Sequence, residues 1–365
     1  MRRVPYVNFP AQFEEERAEL MPLIEGVFRR GEFILGHAVE ALEQELAAFC
    51  GTAEAVTVNS GTDALLLAMR GLGIGPGDEV ITPPNSFVAS SATVVALGAT
   101  PVFADVLPDQ TLDPAAAEAA ITPRTRAIMP VHLAGRVAHM PAFQALAERH
   151  GLALIEDAAQ AVGSTLDGRR TGSFGQVGCF STHPLKNLNA AGDGGFITTG
   201  DAALAERLRR LRNHGLADRN TVPQWGGLSR MDALQAEILR FRLGRLPGVI
   251  ERRRGNARLY RAGLDPRVFW CPDRAGEFNS FHLFVIQVDR RDALQAFLKE
   301  GGISSAVHYP VPIHLQPAAA SLGYRTGAFP VCERQAGRIL SLPIHQFLRP
   351  EDIAWVIERI GAFMG

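Results

Sequence analysis

Apolar residues recur at helical spacing at Leu20, Leu23, Ile24 and Phe28, and again at Val39, Leu42, Leu46 and Phe49. The pattern predicts two amphipathic helices bracketing the segment Gly31 to Gly36. From there the period changes. Short apolar runs at 55–58, 79–82, 101–105, 127–132 and 152–157 alternate with helical patterns that begin near Ala64, Phe87, Asp113 and Pro141. Repeated strand–helix units of this kind predict an α/β domain, with a mostly parallel sheet covered by helices on both faces. Gly71 to Gly77 is glycine-rich, yet Pro76 breaks the G-x-G-x-x-G pattern. The stretch also follows a helix and precedes a strand, so it is expected to be a turn rather than a dinucleotide loop.

Beyond Gly200 the pattern turns helical, from Ala202 to Arg212, then passes through a polar loop into a long helix from Met231, with Leu234, Ile238, Leu239, Phe241 and Leu243 on its apolar side. A helix of that length bridges domains, which places a boundary near residue 245. The expectation is a large domain, 1–245, and a smaller α+β domain, 246–365, with a strand at 280–288 and helices at 292–300, 329–340 and 351–363. The run Arg252 to Arg254 is expected to form a solvated or dimer-facing surface.

A net charge of −1, from 37 basic and 38 acidic residues, gives no pull toward nucleic acid or an anionic membrane and leaves small molecules or another copy of the chain as partners. Cys50, Cys179, Cys271 and Cys332 are too dispersed for a zinc site or a disulfide framework, so no metal is expected. The first residues lack the apolar core of a signal peptide, and no run reaches the roughly 20 apolar residues of a membrane span. A cytoplasmic enzyme is the expectation.

The candidate chemistry lies between Leu152 and Thr199. The apolar run ending in Glu156 and Asp157 is followed by Ala158, Ala159 and Gln160, then by Phe180-Ser-Thr-His-Pro-Leu-Lys186-Asn-Leu188 and the turn Gly192-Asp-Gly-Gly195. A carboxylate at the end of a buried strand, with a lysine beyond a second apolar run, is what pyridoxal phosphate requires: the lysine links to the cofactor, and the acid holds a proton on its ring nitrogen. Strand alternation sends Glu156 and Asp157 to opposite faces. Upstream, Asn59-Ser60-Gly61-Thr62 between a strand and a helix suits a phosphate seat at a helix N-terminus, although Ser60 or Thr62 as a plain N-cap would leave the same signature. In a parallel sheet, Ser60, Asp157 and Lys186 all fall at the carboxyl ends of strands, where ligands bind.

These motifs resemble the DegT/StrS family of pyridoxal-phosphate-dependent sugar aminotransferases, with its E-D-A-A-Q stretch, its F-S-x-H-P-x-K-N-L stretch and its G-D-G-G turn. The resemblance runs from Phe33-Ile-Leu-Gly36 to Leu340-Ser-Leu-Pro343. It implies the aspartate aminotransferase fold (fold type I), with Lys186 and Asp157 as the catalytic pair. It implies cofactor contacts from Ser60, Gly61 and Thr62 to the phosphate, Phe87 on the ring, Gln160 at its phenolic oxygen and Ser181 at the phosphate. The Val307-His308-Tyr309-Pro310-Val-Pro-Ile-His314 segment resembles the family's H-Y-x-x-P-x-H stretch, which implies substrate contacts from His308, Tyr309 and His314; core histidines are the alternative. The implied activity is transfer of an amino group, from L-glutamate, to a keto group of a nucleotide-linked deoxysugar by a homodimer with shared sites. A lysine rather than a histidine at 186 argues against the family's sugar dehydratases. A catalytically idle ligand sensor on the same scaffold is the other alternative, against which the retention of Asp157, Gln160, Ser181 and Lys186 counts.

Two departures from the family pattern stand out. Leu228 occupies the place of an asparagine that reaches the neighbouring subunit's cofactor phosphate, and Ala134 and Arg136 stand where an aromatic and a glutamine are usual. Arg230 or Arg136 is expected to compensate as an anion contact.

Overall fold

The computed structural model describes residues 2–365. The two opening helices, α1 (Phe9–Arg30) and α2 (His37–Cys50), form as the periodicity predicts, and both end on glycines, Gly31 and Gly51, in the left-handed conformation. The alternating region follows as β1 (Glu54–Val58), α3 (Gly61–Gly71), β2 (Glu79–Thr82), α4 (Ala89–Ala96), β3 (Thr100–Phe103), α5 (Pro114–Ala119), β4 (Thr125–Ile128), α6 (Met140–His150) and β5 (Ala153–Asp157). A small hairpin, β6 (Thr165–Leu166) and β7 (Arg169–Arg170), precedes β8 (Val177–Ser181) and β9 (Gly195–Thr199). The main sheet has seven strands in the order β1-β9-β8-β5-β4-β2-β3. Only β9 runs against the rest. Its strands are buried along nearly their whole length, as expected where helices cover both faces.

The parallel strands bring the ends of β1, β5 and β8 to one edge of the sheet. The register then closes a small platform there, because Gly195 pairs with Val58 on one side and with Ser181 on the other.

After α7 (Ala202–Leu211), α8 runs from Ala233 to Gly263 through Pro247. It passes residue 245 without a break, and its packing partners change along its length. Leu243, Leu246 and Ile250 join the core of α2 and β9, whereas Ala257 and Tyr260 join the core of the C-terminal elements. Those elements are β10 (Phe269–Trp270), β11 (Glu277–Phe278), β12 (Phe284–Gln287), α9 (Arg291–Glu300), α10 (Pro330–Ala336), β13 (Ile339–Leu342) and α11 (Pro350–Met364), with β10-β12-β13 as an antiparallel sheet. Val4 belongs to this same core, so the start of the chain packs on the C-terminal unit.

Two expectations need correction. The helix expected over 329–340 stops at Ala336; after Gly337 the chain extends, and Ile339–Leu342 pairs with β12. The basic run is solvated only in part: Arg252 is exposed and pairs with Glu15, whereas Arg253 is buried and donates to the carbonyls of Phe281 and His282, and half-buried Arg254 donates to that of Asn279. All four cysteines are free thiols. Among the described residues no helix is long and apolar enough to cross a membrane, and no cluster of His, Cys, Asp and Glu has the makings of a metal site.

Candidate active site

A cavity of about 450 Å³ opens at the carboxyl edge of the sheet. Asp157 enters it from the tip of β5, Ser181 from the tip of β8, and Lys186 from the loop beyond β8. Ser60, Gly61 and Thr62 enter from the turn into α3. Ser60 caps that helix, its hydroxyl accepting from the Asp63 N–H at 3.1 Å. The cap and the phosphate seat are therefore compatible, because Gly61 and Thr62 open the first turn, where N–H groups have no intrahelical acceptor. Gly61 is required by close packing: a Cβ there would lie 2.5 Å from the Cβ of Ser181.

The two neighbouring carboxylates at the end of β5 point opposite ways. Glu156 is fully buried beneath the sheet, accepting from the N–H groups of Gly172, Phe174 and Gly175 and paired with His132 Nε2 at 3.0 Å. His132 Nδ1 accepts from the Ala138 N–H, so its proton lies on Nε2, directed at Glu156. Asp157 faces the cavity with two donors, the Ser90 hydroxyl at 2.8 Å and the Ala159 N–H at 3.2 Å. Burial raises its proton affinity above the ordinary carboxylate value; those hydrogen bonds and the charge of Lys186 oppose the rise. Lys186 itself is pushed down to about 8 by burial, with Asp157 opposing. An amine with that proton affinity has a usable unprotonated fraction near neutral pH, as attack on a carbonyl requires.

The rest of the cavity comes from both halves of the chain. Gln160 accepts from the Ala134 N–H at 2.7 Å and reaches the Tyr309 hydroxyl at 3.4 Å, so the residue next to the β5 tip meets one from the C-terminal unit. Phe87 stands at the mouth, 55% exposed, with its ring 5.8 Å from that of Tyr309. The tyrosine hydroxyl is pushed up to about 12, by burial first and by Asp157 second. His308 also lines the cavity; its Nδ1 is 3.0 Å from the Ser341 hydroxyl, its ring stacks on Tyr6, and burial with the nearby Lys186 pushes its imidazole down to about 4.

Ser60, Gly61, Thr62, Phe87, Asp157, Gln160, Ser181, Lys186, His308 and Tyr309 thus converge on one cavity. Three expected residues do not. His314 is buried among Phe103, Tyr324 and Phe329 with Nε2 bonded to Glu333, because the 3-10 turn that carries it directs the ring into this aromatic cluster. Arg230 donates to the Asn213 side chain at 3.2 Å and does not line the cavity of its own chain. Arg136 is no anion contact either: it is buried, paired with Glu277 at 3.0 Å, and donates to the carbonyls of Cys271 and Pro272. Ser90, Asp193 and His282 were not anticipated as site residues. Ser90 lies within a helix with nothing local to mark it, and His282 sits in a run that reads as strand.

The profile of the DegT/DnrJ/EryC1/StrS aminotransferase family matches residues 14–361. The chain belongs to that family. It is 47% identical over 362 residues to a dTDP-3-amino-3,4,6-trideoxy-alpha-D-glucose transaminase of Streptomyces venezuelae, covering 98% of this chain and 95% of that one. It is 46% identical over 356 residues to a UDP-N-acetyl-3-dehydro-alpha-D-glucosamine 3-aminotransferase of Acidithiobacillus ferrooxidans, covering 96% and 95%. The crystal structure of Streptomyces venezuelae DesV in complex with a ketimine intermediate matches with a TM-score of 0.97 at 46% identity, over 100% of this chain and 99% of that one. DegT-family enzymes depend on pyridoxal phosphate. The residues present fit that group: an open helix N-terminus with Ser60, Thr62 and Ser181 around it, the carboxylate of Asp157, and a buried lysine amine that no side-chain acceptor engages.

Proposed function

We propose that this DegT-family aminotransferase passes an amino group from L-glutamate to the C3 keto group of a nucleotide-linked deoxysugar, as a cytoplasmic homodimer. The observation that carries the reading is the meeting of Lys186, Asp157 and the first turn of α3 in one cavity. The position on the sugar rests on the two relatives described above, both of which bear names of 3-amino chemistry.

Pyridoxal phosphate, when bound, supplies the carbonyl that receives the amino group and a ring that withdraws electrons from the reacting carbon. The chain provides the rest. The N–H groups of Gly61 and Thr62 and the hydroxyls of Ser60, Thr62 and Ser181 would hold the phosphate at the positive end of α3. Asp157 would keep a proton on the ring nitrogen, and Ser90 fixes the carboxylate for that task. Lys186 Nζ would act as the base for the proton on the α-carbon of the donor and, with the roles reversed in the second half of the cycle, as the acid for the sugar carbon, both on the face from which it enters the cavity. Phe87 and Tyr309 wall the cavity, with Gln160 joining the large-domain side to the Tyr309 side. Exposed apolar side chains around the mouth and on the loop before α8, Phe87, Val88, Leu185, Trp225 and Leu228, support a second copy seated over the cavity. Change in the packing of α8 between Ile250 and Ala257 supports a domain boundary inside that helix, past residue 245.

The test is a panel of nucleotide-linked 3-keto and 4-keto deoxysugars incubated with enzyme, pyridoxal phosphate and L-glutamate, with products read by mass spectrometry and 2-oxoglutarate counted. Amination of a 3-keto sugar with stoichiometric 2-oxoglutarate is expected. Amination confined to 4-keto sugars would overturn the C3 assignment, and loss of water without nitrogen transfer would overturn the aminotransferase reading.

A further inference from the structure

One of the cavity residues with no part in the reaction described above is delivered by a tightly bonded turn. His282 lines the cavity together with Lys186, His183 and His308, and its Nδ1 is buried without a hydrogen-bond partner. The segment that delivers it is fixed from every side. Phe281 sits at φ +47°, a left-handed conformation that a bulky residue adopts only under constraint. Arg253 donates to the carbonyls of Phe281 and His282, Arg254 to that of Asn279, and Asn187, the neighbour of Lys186, to that of Ser280. The Asn279 side chain accepts from the Phe281 N–H at 2.7 Å, and Ser280 bonds Ser164 at 2.9 Å. Gly135 is packed so closely against this turn that a Cβ there would meet Asn279 Oδ1 at 2.7 Å and the His282 nitrogen at 2.9 Å.

Strain, buried hydrogen bonds and a glycine contact thus converge on presenting one imidazole beside the reactive amine. Constraint of this kind is found where a side chain must be placed for function. We propose that His282 is a positioning residue for Lys186: its neutral ring accepts a hydrogen bond from the ammonium form of the lysine whenever the amine is released, and so returns Nζ to the geometry from which it moves the proton. The inference rests on the function proposed above.

The charges around the ring agree with a neutral acceptor. Lys186 and His183 face it from the loop beyond β8, Arg253 from α8 and His308 from the segment after α9; of the two carboxylates that line the cavity, Asp157 acts on Lys186, and Asp193 stands in the turn before β9. Burial first and these positive groups second hold His282 well below the usual imidazole value, so it carries no proton in the range where Lys186 titrates, near 8. No proton is transferred to the ring; it accepts a hydrogen bond, and the ammonium form of Lys186 gains stability.

The test uses the full chain stripped of cofactor and reloaded with pyridoxal phosphate, following growth of the visible absorption band as a function of pH in wild type, His282→Phe and His282→Gln. Loss of the acceptor should lower the pH midpoint of loading by about one unit, a tenfold change in proton affinity. The glutamine variant, which keeps an acceptor, should stay near wild type. In steady state the phenylalanine variant should lose about tenfold in kcat with the KM for L-glutamate little changed. An unchanged midpoint in His282→Phe, or equal shifts in both variants, would overturn the proposal. If His282→Phe does not fold, as its melting curve would show, His282→Gln against His282→Leu decides by the same criterion. A wild type that forms no visible band would instead overturn the aminotransferase reading, so the two failures are distinct.

Discussion

Glu156 and Asp157 are adjacent, equally buried in practice and chemically almost the same, yet the structure treats them as opposites. Glu156 collects three backbone N–H groups and an imidazole N–H, enough to satisfy a buried anion fully. Asp157 receives a serine hydroxyl and one N–H and keeps the rest of its surface for the cavity. A carboxylate saturated by donors anchors the fold; one left short of donors, beside a buried amine, has binding capacity to spend on a ligand. The period-two geometry of β5 separates the two roles within a single residue step.

The contrast is broken or sharpened by substitution. Of the two carboxylates, the larger catalytic effect is expected from Asp157→Asn, which should cost a factor of about a thousand in turnover, consistent with loss of a group acting on the reacting system, while the melting temperature of the cofactor-free protein holds or rises because a buried charge has been removed. Glu156→Gln should do the reverse, losing about 1–3 kcal/mol of stability in a denaturant titration as three N–H groups exchange a charged acceptor for a neutral one, with much of the activity retained by the folded fraction. Equal damage from both in both assays would erase the distinction.

A similar size is expected for Lys186→Met in stability, with the opposite sign to its effect on catalysis. The folded-state value near 8 lies below the ordinary lysine value of 10.5, so the unfolded chain binds the extra proton between those limits. Stability therefore rises with pH across that window and carries the full penalty below it, on the order of 3 kcal/mol. The variant should abolish turnover, gain stability at pH 7, and lose that pH dependence in melts of the cofactor-free protein. Gly61→Ala should weaken pyridoxal phosphate binding by about tenfold in a spectral titration, since the new methyl group meets Ser181. The smallest catalytic effect belongs to His314→Asn, which should lower the melting temperature through the aromatic cluster and leave the sugar KM unchanged.

The large-domain side of the site was legible because its residues are local to strand ends: Ser60, Asp157, Ser181 and Lys186 each follow an apolar run, and parallel pairing aligns those ends without further information. The C-terminal side was legible only in part. His308 and His314 lie in one short segment, and proline-interrupted spacing says nothing of where each ring turns; one reached the cavity and the other an aromatic cluster. Arg136 and Arg253 read as charges available to ligands or solvent, whereas tertiary packing assigns them to carbonyls and Glu277. Ile339 and Leu340 close a helical pattern by period, and only the partner strand β12 decides otherwise.

The most direct measurement is the visible spectrum of the purified protein loaded with pyridoxal phosphate, before and after L-glutamate, in wild type, Asp157→Asn, Glu156→Gln and Lys186→Met. The account predicts a band in wild type and in folded Glu156→Gln that disappears with glutamate, a band in Asp157→Asn that persists at least about a hundredfold longer, and no lysine-linked band in Lys186→Met. A wild-type band indifferent to glutamate, or an Asp157→Asn band that disappears as fast as that of wild type, would contradict it.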